Sequence, residues 1–304
     1  MMPRIVMERS GEMEVFARIV REGGFSAAAR SLDLTPSAVS KLVARLERRL
    51  GTRLLARTTR ALTLTPEGED YHRAALRILR DLDTADQAVT GGTVRGRLSI
   101  NASLPFGRMF VAPAVASFLA RNPDVTISLS FTDAIVDLVG EQADIAIRVG
   151  TLPDSALVAR KLGQSRRVIC AAPSYLARKG TPREPAALRD HDCITFNFRR
   201  PGASWPMAVD GETIEQPVAG PVLVNNGETL RQMALEGLGL ARLGRFHVAD
   251  DIARGDLVPV LEAFNPGDLE PIHAVYVGGG PVPLRVRAFI DHLLAELAAV
   301  ANLH

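Results

Sequence analysis

The 304-residue sequence predicts two fold classes in one chain, a small helical domain followed by a larger α/β region. Residues 1–65 contain short helical segments, and residues 66–91 form one uninterrupted helical stretch that ends at Gly91-Gly92. From Val94 onward, short apolar runs alternate with helical patterns, as in an α/β domain. We therefore expect a domain over residues 1–65, a linker helix over 66–92 and a third region over 93–304.

The composition excludes several classes of protein. No apolar run approaches the ~20 residues that span a bilayer, and residues 1–22 contain no segment like a signal peptide. We expect a cytoplasmic protein without a membrane partner. Cys170 and Cys193 are the only cysteines and have no metal-ligand spacing, so we expect reduced, buried thiols, no metal and no cofactor.

Positive charge is concentrated in the first domain. Residues 1–65 hold 12 Lys and Arg against 6 Asp and Glu, whereas residues 66–304 hold 24 against 28. The densest stretch, which only Glu47 opposes, comprises Lys41, Arg45, Arg48, Arg49, Arg53, Arg57 and Arg60. This asymmetry suggests a polyanionic partner for the first domain. A merely solvated charged helix gives the same composition, so charge alone leaves both interpretations open.

Helical patterns and turn residues divide the first domain. Met13 to Arg21 carries an apolar helical face that Gly23-Gly24 ends. Ser26 is predicted to be the N-cap of a short helix through Leu32.

The next predicted helix begins at Pro36, after Thr35 as its N-cap, and continues to Leu50, where Gly51 ends it. Its apolar stripe comprises Val39, Leu42, Val43, Leu46 and Leu50. Its other faces carry Ser37, Ser40, Lys41, Ala44, Arg45 and Arg48. Two helices joined by a short turn, the second with a polar and basic outer face, form a helix-turn-helix.

These residue types suit double-stranded DNA. The major groove admits one α-helix, whose N-terminal side chains must be small and able to hydrogen-bond. Two short strands, Arg53 to Arg57 and Ala61 to Leu64, are predicted around Thr58-Thr59-Arg60, a plausible wing on the backbone or minor groove. The candidate DNA-binding residues are Ser26, Thr35, Pro36, Ser37, Ser40, Lys41, Arg45, Arg53, Arg57, Thr58, Thr59 and Arg60.

Several motifs resemble the LysR-type transcriptional regulators. They are Gly-Gly-Phe-Ser-Ala-Ala-Ala at 23–29, Leu-Thr-Pro-Ser-Ala-Val-Ser-Lys at 34–41, Leu-Glu at 46–47, Arg-Leu-Leu-Ala-Arg-Thr-Thr-Arg at 53–60 and Leu-Thr-Pro-Glu-Gly at 64–68. The resemblance reaches the second half, where Asp-Ile-Ala-Ile-Arg-Val-Gly at 144–150 and Gly-Leu-Gly-Leu-Ala at 237–241 are similar to effector-domain landmarks. Many members carry glutamine and then proline after the cap, whereas this chain has Pro36 and then Ser37. Base readout should therefore fall more heavily on Ser37, Ser40, Lys41 and the wing.

The resemblance implies the architecture and the role. It implies a winged helix-turn-helix, a linker helix and a two-lobed α/β, periplasmic-binding-protein-like effector domain. Lobe I would comprise residues 93–165 and 267–304, and lobe II residues 166–266. The implied role is that of an activator or repressor that responds to a small organic effector, with RNA polymerase as a partner if it activates.

The linker helix carries a heptad seam with 4-3-4-3-4 spacing, formed by Tyr71, Ala75, Ile78, Leu82, Ala85 and Val89. Packing against its own domain is the alternative. We favour pairing with a second copy, because the small DNA-binding domain would not cover the whole seam. A homodimer or homotetramer would then present paired recognition helices to a roughly palindromic site.

The effector would bind where the strands of the α/β region end, since ligands of open sheets occupy the crevice beyond the strands' carboxyl ends. The candidates are Ser103, Leu104, Phe106, Thr132, Arg148, Gly150, Thr195, Phe196, Asn225, Asn226 and Arg242, and Asp133 follows one of these strands as well.

Three of these candidates have alternatives. Ser103 could hold a carboxylate or be a plain N-cap, and Arg148 could pair with an anion or with a nearby acidic residue. Arg242 could reach the cleft or lie on the surface. Together they lead to the hypothesis of an anionic effector.

Two rival functions have less support. No catalytic motif or metal spacing is present, so we do not expect an enzyme. The alternative function is a cytoplasmic small-molecule-binding protein of the solute-binding type, without regulatory DNA binding, and the basic N-terminal domain argues against it.

Overall fold

The computed structural model describes residues 5–57, 62–89, 93–133, 143–152, 157–197, 203–278, 282–300 and 303. The chain divides into two compact units, one of residues 1–93 with 279–284 and one of residues 94–278 with 285–304. Among the described residues, no helix is both long and apolar enough to cross a membrane.

The first unit contains three helices, a hairpin and a long helix. Its elements are α1 (Ile5–Glu22), α2 (Phe25–Ser31), α3 (Pro36–Leu50), β1 (Leu55–Arg57), β2 (Leu62–Leu64) and α4 (Pro66–Val89). The core lies between α1, α2 and α3, where Phe16, Ile19, Val39 and Leu46 are fully buried. The hairpin is antiparallel, with Leu55 opposite Leu64. This arrangement confirms the predicted winged helix-turn-helix and the helix that follows it.

The cap residues of α3 match the sequence prediction. Thr35 is the N-cap, and its hydroxyl oxygen accepts a hydrogen bond from the Ala38 N–H at 3.2 Å. Gly51 ends the helix with φ 72°, a left-handed conformation that glycine adopts without steric penalty.

The second unit is built on a long mixed sheet with helices around it. Its first elements are β3 (Gly96–Ala102), α5 (Leu104–Phe106), a π-helical turn (Gly107–Val111), α6 (Ala112–Arg121), β4 (Val125–Phe131), β5 (Ile145–Val149), β6 (Leu157–Ala171), α7 (Pro173–Lys179), a 3₁₀ turn (Pro185–Asp190) and β7 (Cys193–Phe196). Then follow β8 (Ser204–Val209), β9 (Glu212–Pro217), β10 (Leu223–Val224), α8 (Gly227–Leu235), β11 (Leu240–Gly244), α9 (Arg245–Arg254), β12 (Val258–Val260), a 3₁₀ turn (Glu262–Phe264), β13 (Leu269–Val277) and α10 (Leu284–Leu297).

Strand pairing divides this sheet into two lobes. Among the described residues the order is β10-β7-β11-β6-β13-β5-β3-β4, with β12 also paired to β6. The first half of β6 pairs with β13, and its second half pairs with β11 and β12. The partner changes between Arg166, opposite Leu269, and Arg167, opposite Gly244. The two-lobed α/β fold is thus confirmed, and β6 belongs to both lobes.

The two cysteines are free and buried in lobe II. Burial raises the pKa of the Cys170 thiol to about 12, and it raises that of Cys193 to about 12 as well. The prediction of reduced, buried thiols agrees with these surroundings.

Candidate DNA-binding surface and effector cleft

The exposed face of α3 carries Ser37, Lys41, Ala44 and Arg48. Successive helical residues are 100° apart, so positions spaced 4-3-4 share one face. The buried residues Val39, Val43 and Leu46 lie on the opposite face. This exposed face has the small side chains and the two cations that a major groove requires. Sequence reasoning did not select Ala44 and Arg48 as contacts, although their spacing from Ser37 and Lys41 would have indicated them.

The other predicted contacts of the two helices are placed differently. Thr35 and Pro36 are exposed at the N-terminus of α3, and Ser40 lies partly buried on its flank. Ser26 is exposed, but the prediction that it caps α2 is wrong. Gly24 is the N-cap, because Phe25 packs against the domain core and belongs to the first helical turn.

Arg45 does not share the exposed face. Its Nε donates a hydrogen bond to Oε1 of Glu12 on α1 at 2.5 Å. Arg49, one turn further along, donates to Oε2 of the same carboxylate from Nε at 3.1 Å and from Nη2 at 2.9 Å. Glu12 was not selected from the sequence, because its burial depends on how α1 packs against α3.

The hairpin is attached to α3 by one carboxylate. Oε1 of Glu47 accepts hydrogen bonds from the backbone N–H groups of Leu54 at 2.9 Å and Leu55 at 3.2 Å. Arg53 is exposed beside this attachment. The predicted contacts Thr58, Thr59 and Arg60, and the side chain of Arg57, lie outside the described residues.

The heptad seam of the linker helix is buried near the start of α4 and exposed further along it. Ala75 is fully buried, and Tyr71 packs against Phe16 with ring centroids 5.6 Å apart. The prediction that Ala75 contacts a second copy is therefore wrong, because its own chain covers it, and Tyr71 mainly packs on its own domain. Ile78, Leu82 and Ala85 are exposed. The side chain of Val89 lies outside the described residues.

The predicted effector cleft corresponds to the place where β3, β4 and β5 of lobe I end, opposite the first turn of α8 in lobe II. At its centre Asp133 accepts two backbone hydrogen bonds. Its Oδ1 accepts from the Leu104 N–H at 2.8 Å, and its Oδ2 accepts from the Gly227 N–H at 2.8 Å. One donor belongs to each lobe, so a single carboxylate connects them. Helix N-termini favour such an anion because their first N–H groups have no helical partner.

Ser103 immediately precedes Leu104, whose N–H this carboxylate binds. Its side chain makes no cap hydrogen bond, and its Oγ is buried without a hydrogen-bond partner. Asp133 accepts the hydrogen bond from the Leu104 N–H, so Ser103 occupies the predicted N-cap position but its hydroxyl does not cap the helix.

Close packing around the carboxylate closes the cleft. A Cβ on Gly227 would meet Cγ of Pro105 at 3.0 Å, so glycine permits the two helix ends to approach. Phe106 is fully buried and packs against Phe110 and Phe246, with centroids 4.9 and 5.8 Å away. Phe106 therefore joins the lobes through its ring, and its contact with an effector stays a prediction.

An ionic network crosses the lobes next to Asp133. Glu228 accepts from Arg108 of lobe I at 3.2 Å, from Arg231 at 3.1 Å, and from Nε2 of His247 at 2.9 Å. Burial alone would raise the pKa of Glu228, but these partners outweigh it and lower the pKa. Burial also lowers the pKa of His247, despite its hydrogen bond to Glu228. Arg231 is further held by Asp251 at 2.5 and 2.6 Å.

Within lobe II, Thr195, Phe196 and Arg242 line one small cavity together with Arg167 and Trp205. Arg242 is buried and paired with Asp268, so the alternative of a surface arginine is wrong. Burial lowers the pKa of its guanidinium against the opposing effect of Asp268.

The remaining candidates lie at strand ends or at the start of α8. Asn226 caps α8, where its Oδ1 accepts from the Thr229 N–H at 2.8 Å, and its amide donates to Asn225 at 2.8 Å. Gly150 has φ 106°, which favours glycine. Thr132 and Arg148 are partly buried at the strand ends, and Arg148 donates to the Ile147 carbonyl at 3.2 Å. Among the described residues no group of three His, Cys, Asp or Glu could hold a metal ion.

Two protein-family descriptions match the chain. Residues 11–69 match the bacterial regulatory helix-turn-helix protein, lysR family, and residues 91–298 match the LysR substrate binding domain. The regulator CrgA of Neisseria meningitidis serogroup B is 39% identical over 291 residues, covering 95% of this chain and 97% of CrgA. The regulator DmlR of Escherichia coli K12 is 35% identical over 286 residues, covering 93% and 92%.

Solved structures agree with this match. The structure of CrgA, a LysR-type transcriptional regulator, superposes with a TM-score of 0.63 at 38% identity, covering 94% of this chain and 98% of that one. The full-length structure of the Vibrio cholerae virulence activator AphB gives 0.59 at 26% identity, covering 94% and 98%. With its helix-turn-helix and its two-lobed effector-binding domain, the chain belongs to the LysR family of DNA-binding transcriptional regulators.

Proposed function

We propose that this regulator controls transcription in the bacterial cytoplasm in response to a small carboxylate or similar anion that binds between its two lobes. The observation that carries the proposal is the Asp133 carboxylate, which accepts one backbone hydrogen bond from each lobe. A site that holds an internal carboxylate has the chemistry to hold an external one. The Ser103 hydroxyl, which is buried without a hydrogen-bond partner one residue before Leu104, would supply a further donor.

An anionic effector would compete with Asp133 for the N–H groups of Leu104 and Gly227. Displacement of Asp133 would remove its link between the lobes and leave the effector as the new link. An effector would differ in size from the Asp133 carboxylate. The distance between the N–H groups of Leu104 and Gly227, and with it the separation of the lobes, would therefore change. A ligand shifts such an equilibrium only by its difference in affinity for the two states.

The DNA-binding part of the proposal has the exposed face of α3 in the major groove and the β1–β2 hairpin as a wing. A homodimer or homotetramer, paired through the exposed end of the α4 seam, would place two recognition helices on a roughly palindromic operator. Activation would require contact with RNA polymerase, and repression would not. The proposed domain boundaries remain residues 1–65, 66–92 and 93–304.

The test is a thermal-shift screen of small carboxylates, each paired with its neutral amide, followed by calorimetric titration. We expect carboxylates to stabilise the protein and their amides to leave it unchanged. A footprint on a duplex selected by the wild type should then change at a saturating carboxylate concentration. Binding confined to neutral or cationic compounds would contradict the anionic site, and an unchanged footprint would contradict the coupling.

A further inference from the structure

Glu12 on α1 is a buried carboxylate that serves two arginines of the recognition helix. Its side chain is 3% exposed, and both of its oxygens are occupied. Oε1 accepts from Nε of Arg45 at 2.5 Å, and Oε2 accepts from Nε and Nη2 of Arg49 at 3.1 and 2.9 Å. The two arginines follow one another by one helical turn, so Glu12, Arg45 and Arg49 form an ionic cluster that joins α1 to α3.

Arg45 and Arg49 project from a different side of α3 than the exposed face. Positions 45 and 49 lie about 80° and 120° from Ser37 around the helix, on the flank that contacts α1. Lys41 and Arg48 lie within about 40° of Ser37. The same helix therefore carries two cations on the DNA-facing side and two that are drawn toward Glu12.

The strength of the cluster follows from burial. A buried carboxylate without a cationic partner strongly destabilises the folded protein. Moving Arg45 and Arg49 away would leave the buried Glu12 charge unpaired, so both guanidinium groups are held next to it. The hydrogen bond that Arg49 donates to Glu12 raises the pKa of Arg49, burial opposes this rise, and nearby Tyr71 raises the pKa further. Since Tyr71 belongs to α4, the linker helix also meets this flank of α3.

We infer that Glu12 determines specificity by withholding the charges of Arg45 and Arg49 from the DNA phosphates. Phosphate contacts supply nearly all of a protein's non-specific affinity for DNA, and they carry no sequence information directly. A carboxylate that binds two arginines therefore lowers binding to all sequences alike. The contacts made by Ser37, Lys41 and Arg48 then contribute a larger share of the affinity for the operator.

The test compares Glu12→Gln with Glu14→Gln in the full chain. Both variants remove one negative charge from α1. Glu14 is exposed and pairs with Arg18 at 3.6 Å, within the same helix, so its substitution leaves the Glu12 cluster intact. Binding is measured by fluorescence anisotropy over a range of salt concentrations. The two probes are a duplex of mixed sequence and a duplex that the wild type has selected from a random pool.

We expect Glu12→Gln to bind the mixed-sequence duplex more tightly than Glu14→Gln does. Its logarithmic salt slope should steepen by about 0.9 for each phosphate that a released arginine reaches. The ratio of operator to mixed-sequence affinity should fall. Equal slopes for the two variants, or a uniform loss of affinity with the wild-type slope, would overturn the inference, because global charge or a structural role alone gives those results.

A triple variant keeps the inference testable if Glu12→Gln folds poorly. In Glu12→Gln with Arg45→Gln and Arg49→Gln, no buried charge lacks a partner, and the released cations are absent. The salt slope should equal that of the wild type. A slope shallower by about 1.8 for each subunit would show that both arginines contact phosphates in the wild type, and it would overturn the inference.

Discussion

The recognition helix and the effector cleft both contain an internally bound carboxylate, but the two carboxylates leave their surroundings in different states. Glu12 binds side-chain cations on the flank of α3 and leaves the opposite, polar face exposed. Asp133 binds backbone N–H groups at the centre of the cleft and occupies the donors that a ligand would need. Under the proposed function, the exposed face of α3 can bind DNA as it stands, whereas the cleft would have to exchange Asp133 for an effector. A binding event that requires such an exchange is suited to control.

The largest effect should follow from removing both exposed cations of α3. The double variant is Lys41→Ala with Arg48→Ala. If these side chains read bases, operator binding should weaken by roughly 1–3 kcal/mol for each base that is no longer read. If they contact phosphates, the logarithmic salt slope should fall by about 0.9 for each phosphate that is no longer neutralised. Arg45→Ala should change operator affinity less, because Glu12 already binds that side chain. Anisotropy titrations at several salt concentrations would measure both. A larger decrease in affinity from Arg45→Ala than from Arg48→Ala would contradict the claim that the exposed face of α3, and not the flank next to α1, contacts DNA.

The next effect should appear in the cleft. In Asp133→Asn, an NH2 group that cannot accept a hydrogen bond replaces one of the two carboxylate oxygens, so either the Leu104 N–H or the Gly227 N–H loses its acceptor. We expect a loss of about 1–3 kcal/mol in the free energy of unfolding. Asp124→Asn is the matched control, since Asp124 is exposed immediately before β4. Urea unfolding with and without added carboxylate measures the difference, and equal stabilities of the two variants would contradict the role of Asp133.

The N-caps of the two regions offer a smaller comparison. Thr35→Ala and Asn226→Ala each remove one cap hydrogen bond and should each cost about 1 kcal/mol. Asn226→Ala should also alter the response to carboxylates, because it loosens the first turn of α8 next to Gly227. Thermal unfolding and the ligand screen would detect this. A response to carboxylates that is altered only by Thr35→Ala would contradict the placement of the cleft.

The smallest effect should be a dependence of stability on pH. Burial lowers the pKa of His247, His191 and His273 below the usual value of 6.5. The unfolded chain therefore binds more protons as the pH falls below about 6.5, and the free energy of unfolding should decrease there. His247→Asn should flatten this decrease, as measured by unfolding between pH 5 and 7.5, while an unchanged profile would assign the effect to other groups.

The recognition helix was predictable because its signals are local. Thr35, Pro36 and Gly51 define the ends of α3, and these cap interactions involve residues no more than four positions apart. Ser26 was assigned wrongly because the packing of Phe25 overrides a local preference. A different limit applies to β6, whose second half, Val168 to Ala171, is an apolar run typical of a strand. Charged residues such as Arg160 and Arg166 conceal its first half, which becomes a strand through pairing with β13.

The cleft could be predicted only in outline. The strand-end rule selected Ser103, Leu104 and Thr132, and it brought Asp133 into consideration. Nothing in the sequence indicates that the Asp133 carboxylate reaches Gly227, because that contact joins residues 94 positions apart. The same applies to Glu12, whose partner Arg45 is 33 positions away. Charged residues acquire such roles from tertiary packing, which periodicity and composition do not record.

The sharing of β6 between two lobes affects how the effector domain could be recombined. Arg166 and Arg167 are adjacent, yet they pair with strands of different lobes. An exchange of lobe II with another family member would therefore need a junction inside a strand, with the register preserved on both sides. The two lobes present separate surfaces to a ligand, but they share one strand. We therefore expect them to fold in one cooperative transition.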